Sequence, residues 1–150
     1  MPHVSIQYSP QLDDSHDMGA LCDVLNEAIV ETALFPLAGI RVRAFRADHE
    51  SVADRHPSNA FVAMQVYIGQ GRTLAEQQRA GAHIYAAAEA FFAERLGDAY
   101  FMLSMEIFEN NAALSWKRNG NTYVFKLYTS ITNSENARNH KNKVAILCPC

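Results

Sequence analysis

A few residues of this chain have the types and spacing to move a proton beside an anion. Pro2 follows the initial methionine, which is ordinarily removed ahead of proline, so the expectation is a free secondary amine at the amino terminus. An α-amino group ordinarily titrates near 7.7–8.0, and proline's own lies somewhat higher, so service as a neutral base at pH 7 needs a depressed pKa. A guanidinium about 5 Å away, at an effective dielectric of about 20, lowers it by about two pK units. Apolar burial acts in the same direction. Met-Pro is also a common start, and alone it carries no function.

The arginines supply the second half of such a site. In Gly39-Ile40-Arg41-Val42-Arg43-Ala44-Phe45-Arg46, alternation puts Arg41, Arg43 and Phe45 on one face, opposite Ile40, Val42 and Ala44. Two guanidinium groups side by side repel unless an anion or a carboxylate neutralises them. Arg72 lies in Gly69-Gln70-Gly71-Arg72-Thr73, a turn leading into a helix, where backbone N–H groups and the helix dipole also favour an anion. Up to Ser115 the chain has seven arginines and no lysine, and arginine is the better fork for a carboxylate. The alternative for each is ordinary ion pairing with the many acids, and it weighs most for Arg43 and Arg46.

Other chemistry is poorly supplied. His3, His16, His49, His56 and His83 show no metal-ligand spacing, and neither a metal nor an organic cofactor is expected. Cys22 reads as core packing, and Cys148-Pro149-Cys150 as an incidental pair. There is no nucleophile elbow, phosphate-binding loop or dinucleotide fingerprint; Gly69-Gln70-Gly71 is a turn.

The elements that must hold these residues come as one pattern used twice. His3–Tyr8 alternates as a half-buried strand. Asp13, Asp14 and Ser15 offer a cap, and Met18, Leu21, Leu25 and Ile29 mark a helix over residues 15–33. A second strand covers residues 40–46. The pattern repeats with a strand at 61–68, then a helix opened by the Thr73/Glu76 capping box and ending near Leu96-Gly97. Its packed stripe is read as Leu74, Gln78, Gly81, Tyr85, Ala88 and Phe92, and a fourth strand follows at 100–108. Two β-α-β halves predict an α+β subunit: a four-stranded sheet with two helices on one face. The other face lacks a cover, and subunit association is the expected remedy. Asn119-Gly120 between residues 114–118 and 122–128 reads as a C-terminal hairpin. The domain is therefore expected over residues 1–128, with a disordered extension at 129–150.

Composition bounds the classes. At 150 residues the chain suits one domain with a sizeable core, and 49% apolar content excludes a wholly disordered chain. No apolar run reaches the ~18 residues of a membrane span, and the first 20 residues carry three acids and no Lys or Arg, unlike a signal peptide. A cytoplasmic protein without a disulfide framework is expected. Up to Ser115 there are 7 basic and 15 acidic residues, a net of −8 that argues against nucleic acid as partner. From Trp116 onward the balance is 6 to 1, a basic end read as solvated.

Taken together, Met1-Pro2-His3, Phe35-Pro36-Leu37-Ala38-Gly39-Ile40-Arg41-Val42-Arg43, Ala60-Phe61-Val62-Ala63-Met64 and Ile68-Gly69-Gln70-Gly71-Arg72-Thr73-Leu74 with Gln77 and Gln78 resemble the 5-carboxymethyl-2-hydroxymuconate isomerase family. That family lies within the tautomerase superfamily with the amino-terminal proline. The resemblance runs from Pro2 to about Phe125. It implies a homotrimer whose sheets face a central axis, and a cofactor-free isomerase in homoprotocatechuate degradation acting on a dienol with several carboxylates. It further implies Pro2 as general base and acid, with Arg41 and Arg72 holding carboxylates. Arg43 would bind substrate or neutralise a carboxylate across the subunit interface. Two other possibilities stand beside it: addition of water to a related unsaturated acid with a charged Pro2, and a non-catalytic oligomer that binds an anion.

Overall fold

The computed structural model describes residues 2–118. Its order is β1 (His3–Tyr8), α1 (Met18–Glu31), β2 (Arg41–Arg46), β3 (Ala60–Gly69), α2 (Leu74–Phe91) and β4 (Phe101–Asn110), with 3-10 turns at Pro10–Asp14, Leu37–Gly39 and Ala112–Leu114. One sheet forms in the order β2-β1-β3-β4. β1 and β2 are parallel across α1, β3 and β4 are parallel across α2, and the two halves meet through antiparallel β1 and β3. The doubled β-α-β pattern is thus the architecture of the subunit.

The helix boundaries follow from their caps. α1 starts three residues later than expected, because Pro10 opens a 3-10 turn that runs through Asp14. The cap falls to Asp17, whose Oδ1 accepts from Gly19 N–H at 2.8 Å and Ala20 N–H at 3.1 Å. α2 has the capping box expected of it: Thr73 N–H donates to Glu76 Oε2 at 2.8 Å, and Glu76 N–H to Thr73 Oγ1 at 3.3 Å. It ends at Phe91, short of Leu96, where Phe92 leaves helical geometry to bury its ring completely beside Phe91, Phe101 and His16. Leu74, 70% exposed, and Gln78, also exposed, fall off the packed stripe, which is Ala80, Gly81, Ile84 and Ala88.

Alternation decides which face is buried. Val4, Ile6 and Tyr8 of β1 and Val62, Met64, Val66 and Ile68 of β3 lie under Leu21, Leu25 and Ile29 of α1 and Ile84 and Ala88 of α2. Each buried Val, Leu, Ile or Met among them contributes about 1.5–3 kcal/mol relative to exposure. Cys22 packs against this core, and burial pushes its thiol pKa up. Gly81 lets α2 sit close to β4, since a Cβ there would meet Ile107 Cδ1 at 2.8 Å.

The opposite face carries the other half of each strand. Its cross-strand rows are Arg41-His3-Tyr67-Phe108, Arg43-Ser5-Gln65-Glu106 and Phe45-Gln7-Ala63-Ser104. None of these residues is buried, so no described element covers this face. The predicted C-terminal hairpin lies mostly outside the described residues, as does the extension at 129–150. Of its first arm, Leu114 belongs to the 3-10 turn capped by Asn111, and residues 115–118 are in neither helix nor strand.

Candidate active site

The candidate residues converge at one end of the sheet. Pro2 is buried immediately before β1, and its carbonyl accepts the Arg41 N–H at 3.2 Å. β1 runs antiparallel to β3 with His3 opposite Tyr67. One further step in that register sets Pro2 against Ile68, where β3 gives way to the turn that carries Arg72. Gly71 in that turn has φ of +100°, a left-handed conformation that a side chain would strain.

Arg72 is held by backbone carbonyls. Its Nη1 donates to Gly69 O at 3.2 Å and Gln70 O at 3.4 Å, and its Nη2 to Leu34 O at 3.1 Å. Its guanidinium lies 5.1 Å from the Phe35 ring centroid. Of five guanidinium N–H groups, three are engaged, leaving the Nε–H and one Nη2–H for an anion. Leu34 is presented by the end of α1, where Ala33 takes a φ of 53° in place of the usual glycine. Gln77 completes the support, donating to Arg72 O at 3.0 Å and Glu109 Oε1 at 3.4 Å. Gln77 and Phe35 were visible only as parts of motifs. Their positioning roles arise from contacts across chain separations that no local pattern encodes.

Arg41 and Arg43 do share a face, the one no described element covers. Arg41 is half-buried and donates from Nη1 to Gly39 O at 3.2 Å. Arg43 is exposed, 5.8 Å from the Phe45 ring centroid. Ordinary ion pairing accounts for Arg46, which reaches Asp48 at 3.0 Å and Asp13 at 3.5 Å. Among the described residues Arg41, Arg43 and Arg72 have no such carboxylate. By register, Pro2, Arg41 and the turn that carries Arg72 fall at one end of the sheet, with Arg43 two residues beyond Arg41 on the open face. Among the described residues no three His, Cys, Asp or Glu side chains form a metal-binding group.

Paired β-α-β halves closing one four-stranded sheet with two helices are the architecture of the tautomerase superfamily. A fused 4-OT solved as a symmetric trimer matches this fold with a TM-score of 0.55, over 77% of this chain and 94% of that one, at 15% identity. At that identity the likeness concerns the fold alone. Residues 2–123 match the model of the 5-carboxymethyl-2-hydroxymuconate isomerase family, and the chain belongs to that family. It is 33% identical over 126 residues to a 5-carboxymethyl-2-hydroxymuconate Delta-isomerase of Escherichia coli, spanning 84% of this chain and all of that protein. A crystal structure of a 5-carboxymethyl-2-hydroxymuconate delta-isomerase has a TM-score of 0.75 at 32% identity, over 83% of this chain and 92% of that one.

Proposed function

We propose that the protein is a cofactor-free tautomerase that converts a carboxylated 2-hydroxymuconate dienol, of the 5-carboxymethyl type, to its conjugated 2-oxo isomer. Removal of Met1 frees the Pro2 amine. That amine takes the 2-hydroxyl proton, the O–H electron pair becomes the 2-carbonyl, the double bonds shift, and the proton returns to carbon. Because the forming carbonyl is its own electron sink, the chemistry needs only a base and charge stabilisation. Arg72 and Arg41 hold substrate carboxylates and offset the dienolate charge, one from the helix side of the sheet end and the other from the open face. A substrate with carboxylates at separated positions suits that division. The subunits associate as a homotrimer, the domain spans residues 1–128, and the enzyme works in the cytoplasm on a pathway of aromatic-acid breakdown.

The observation that carries this proposal is the position of buried Pro2 beside a turn whose arginine keeps two donors unspent. The test joins intact mass to kinetics. The purified protein should be lighter by one methionine, and Pro2→Ala should lower kcat/KM by about 10²–10⁴ with an unchanged circular dichroism spectrum. Retention of Met1 together with full activity, or an unchanged rate in Pro2→Ala, would refute the role of Pro2.

A further inference from the structure

The two helices are tied by a polar contact close to the turn that supports Arg72. Glu31 closes α1, and His83 lies midway along α2. Among the described residues, the contact of His83 Nε2 with Glu31 Oε2 at 2.7 Å is the one side-chain hydrogen bond between the helices. A carboxylate only accepts, so Nε2 carries the proton. Beside this bond a cavity of about 140 Å³ is lined by Glu31, Thr32, Leu34, Arg79, Ala80 and His83. Close packing therefore does not fix the end of α1 against α2, and the Glu31–His83 bond bridges them. Three residues beyond Glu31, the Leu34 carbonyl accepts Arg72 Nη2 at 3.1 Å. The intervening turn is tight. Thr32 Oγ1 donates to Ile29 O at 2.7 Å and accepts Leu34 N–H at 3.3 Å, while Ala33 stands at φ 53°, a strained value for a residue with a side chain. A shift of the α1 end is passed on to the Leu34 carbonyl, because the turn between them has little slack.

We propose that Glu31 and His83 are positioning residues for Arg72. Together they pin the end of α1 so that the Leu34 carbonyl stays within reach of Arg72 Nη2, and the guanidinium keeps one orientation toward a substrate carboxylate. The other bonds of that guanidinium, to Gly69 O and Gln70 O, lie within three residues of Arg72 and move with its own turn. Only the bond to Leu34 refers its position to the first β-α-β half, across 38 positions of the chain. The pinning pair is exposed, 48% for the His83 side chain and 65% for Glu31, and exposed pairs contribute little to global stability. Its effect is therefore local, on the fork that the turn presents. The inference rests on the substrate-binding role proposed for Arg72.

A double-mutant cycle read in KM tests the pin apart from stability. Glu31→Ala and His83→Ala should each raise KM for the carboxylated dienol by about two- to fivefold, the scale of one exposed ion pair. In both, kcat should be unchanged and the thermal midpoint within about 3 °C of the wild type. Glu31→Gln still offers an oxygen to Nε2–H and should stay within about twofold of the wild-type KM. In an Arg72→Lys background no Nη2 reaches Leu34, so Glu31→Ala should add nothing further. Unchanged KM in Glu31→Ala while Arg72→Lys raises it, or an equal rise on top of Arg72→Lys, would overturn the inference. So would kcat falling in step with the thermal midpoint, which is what plain loss of stability gives. A second readout needs no substrate. Rotation of the Arg72 guanidinium breaks its bond to Leu34, and NMR exchange between its two Nη groups should be at least about threefold faster in Glu31→Ala. An equal rotation rate overturns the pin. Wild-type KM in Arg72→Lys, together with faster rotation in Glu31→Ala, would take substrate binding away from Arg72 and leave the pin in place.

Discussion

Arg72 joins structure and chemistry in a single side chain. Its three engaged N–H groups tie the turn after β3 to the end of α1, and two remain to bond an anion. Lysine would keep the charge but not the fork, so Arg72→Lys removes the geometry while preserving the electrostatics. The expected outcome is a rise in KM with kcat/KM down by about 10–100-fold. Stability should fall by about 1–3 kcal/mol from the unsatisfied Leu34 and Gly69 carbonyls, read as a lowered thermal midpoint. A lysine variant with wild-type KM would remove Arg72 from the binding site. The Pro2 amine provides a second measurement at this scale. If Arg72 is the cation that keeps it neutral, Arg72→Ala should raise the amine pKa by about one unit in an NMR titration, since losing a nearby positive charge favours the protonated form. An unmoved titration would leave apolar burial as the cause of any depression.

Among the elements, the start of α2 matters most because it fixes the turn that carries Arg72. The Thr73 N–H and hydroxyl bonded to the Glu76 carboxylate hold its pKa below the ordinary glutamate value. A lowered carboxyl pKa means that the cap contributes stability above the unfolded value and loses it as pH falls through the folded one. Thr73→Ala should therefore cost about 1 kcal/mol at pH 7, with the difference from the wild type shrinking in acid as Glu76 protonates in both. Thermal melts at pH 7 and at about pH 3 would check this, and a difference independent of pH would separate the cap from Glu76. This box was legible in the sequence because both partners lie within one turn. The same locality made the alternation of β1 and β3 readable, and with it the common face of Arg41 and Arg43. The start of α1 was not, since Asp13, Asp14, Ser15 and Asp17 are all competent caps and the turn begun by Pro10 decides among them. Nor was the stop at Phe91, which is set by burial of Phe92 against Phe101 and His16. The hold of Leu34 on Arg72 spans 38 positions and leaves no periodic trace.

At the scale of the whole molecule, the sequence divides into an acidic body and a basic end. Residues 1–115 carry a net −8 and residues 116–150 a net +5. The family match stops at residue 123, and the Escherichia coli relative is matched over its entire length by 126 residues of this chain. That relative's whole length is thus covered by a stretch 24 residues shorter than this chain. Among the described residues, the two β-α-β halves complete the four-stranded sheet and its buried core by Asn110. A protein ending at Tyr128 should therefore keep its thermal midpoint, its assembly and its kcat/KM. Opposite charge gives one way for this to fail, if the net +5 of residues 116–150 offsets the net −8 of residues 1–115. In that case truncation would lower the thermal midpoint at low ionic strength, and the loss would vanish in about 0.5 M salt, where the Debye length is only a few ångströms. Equal midpoints for the two proteins at both salt concentrations would show that the body stands without that end.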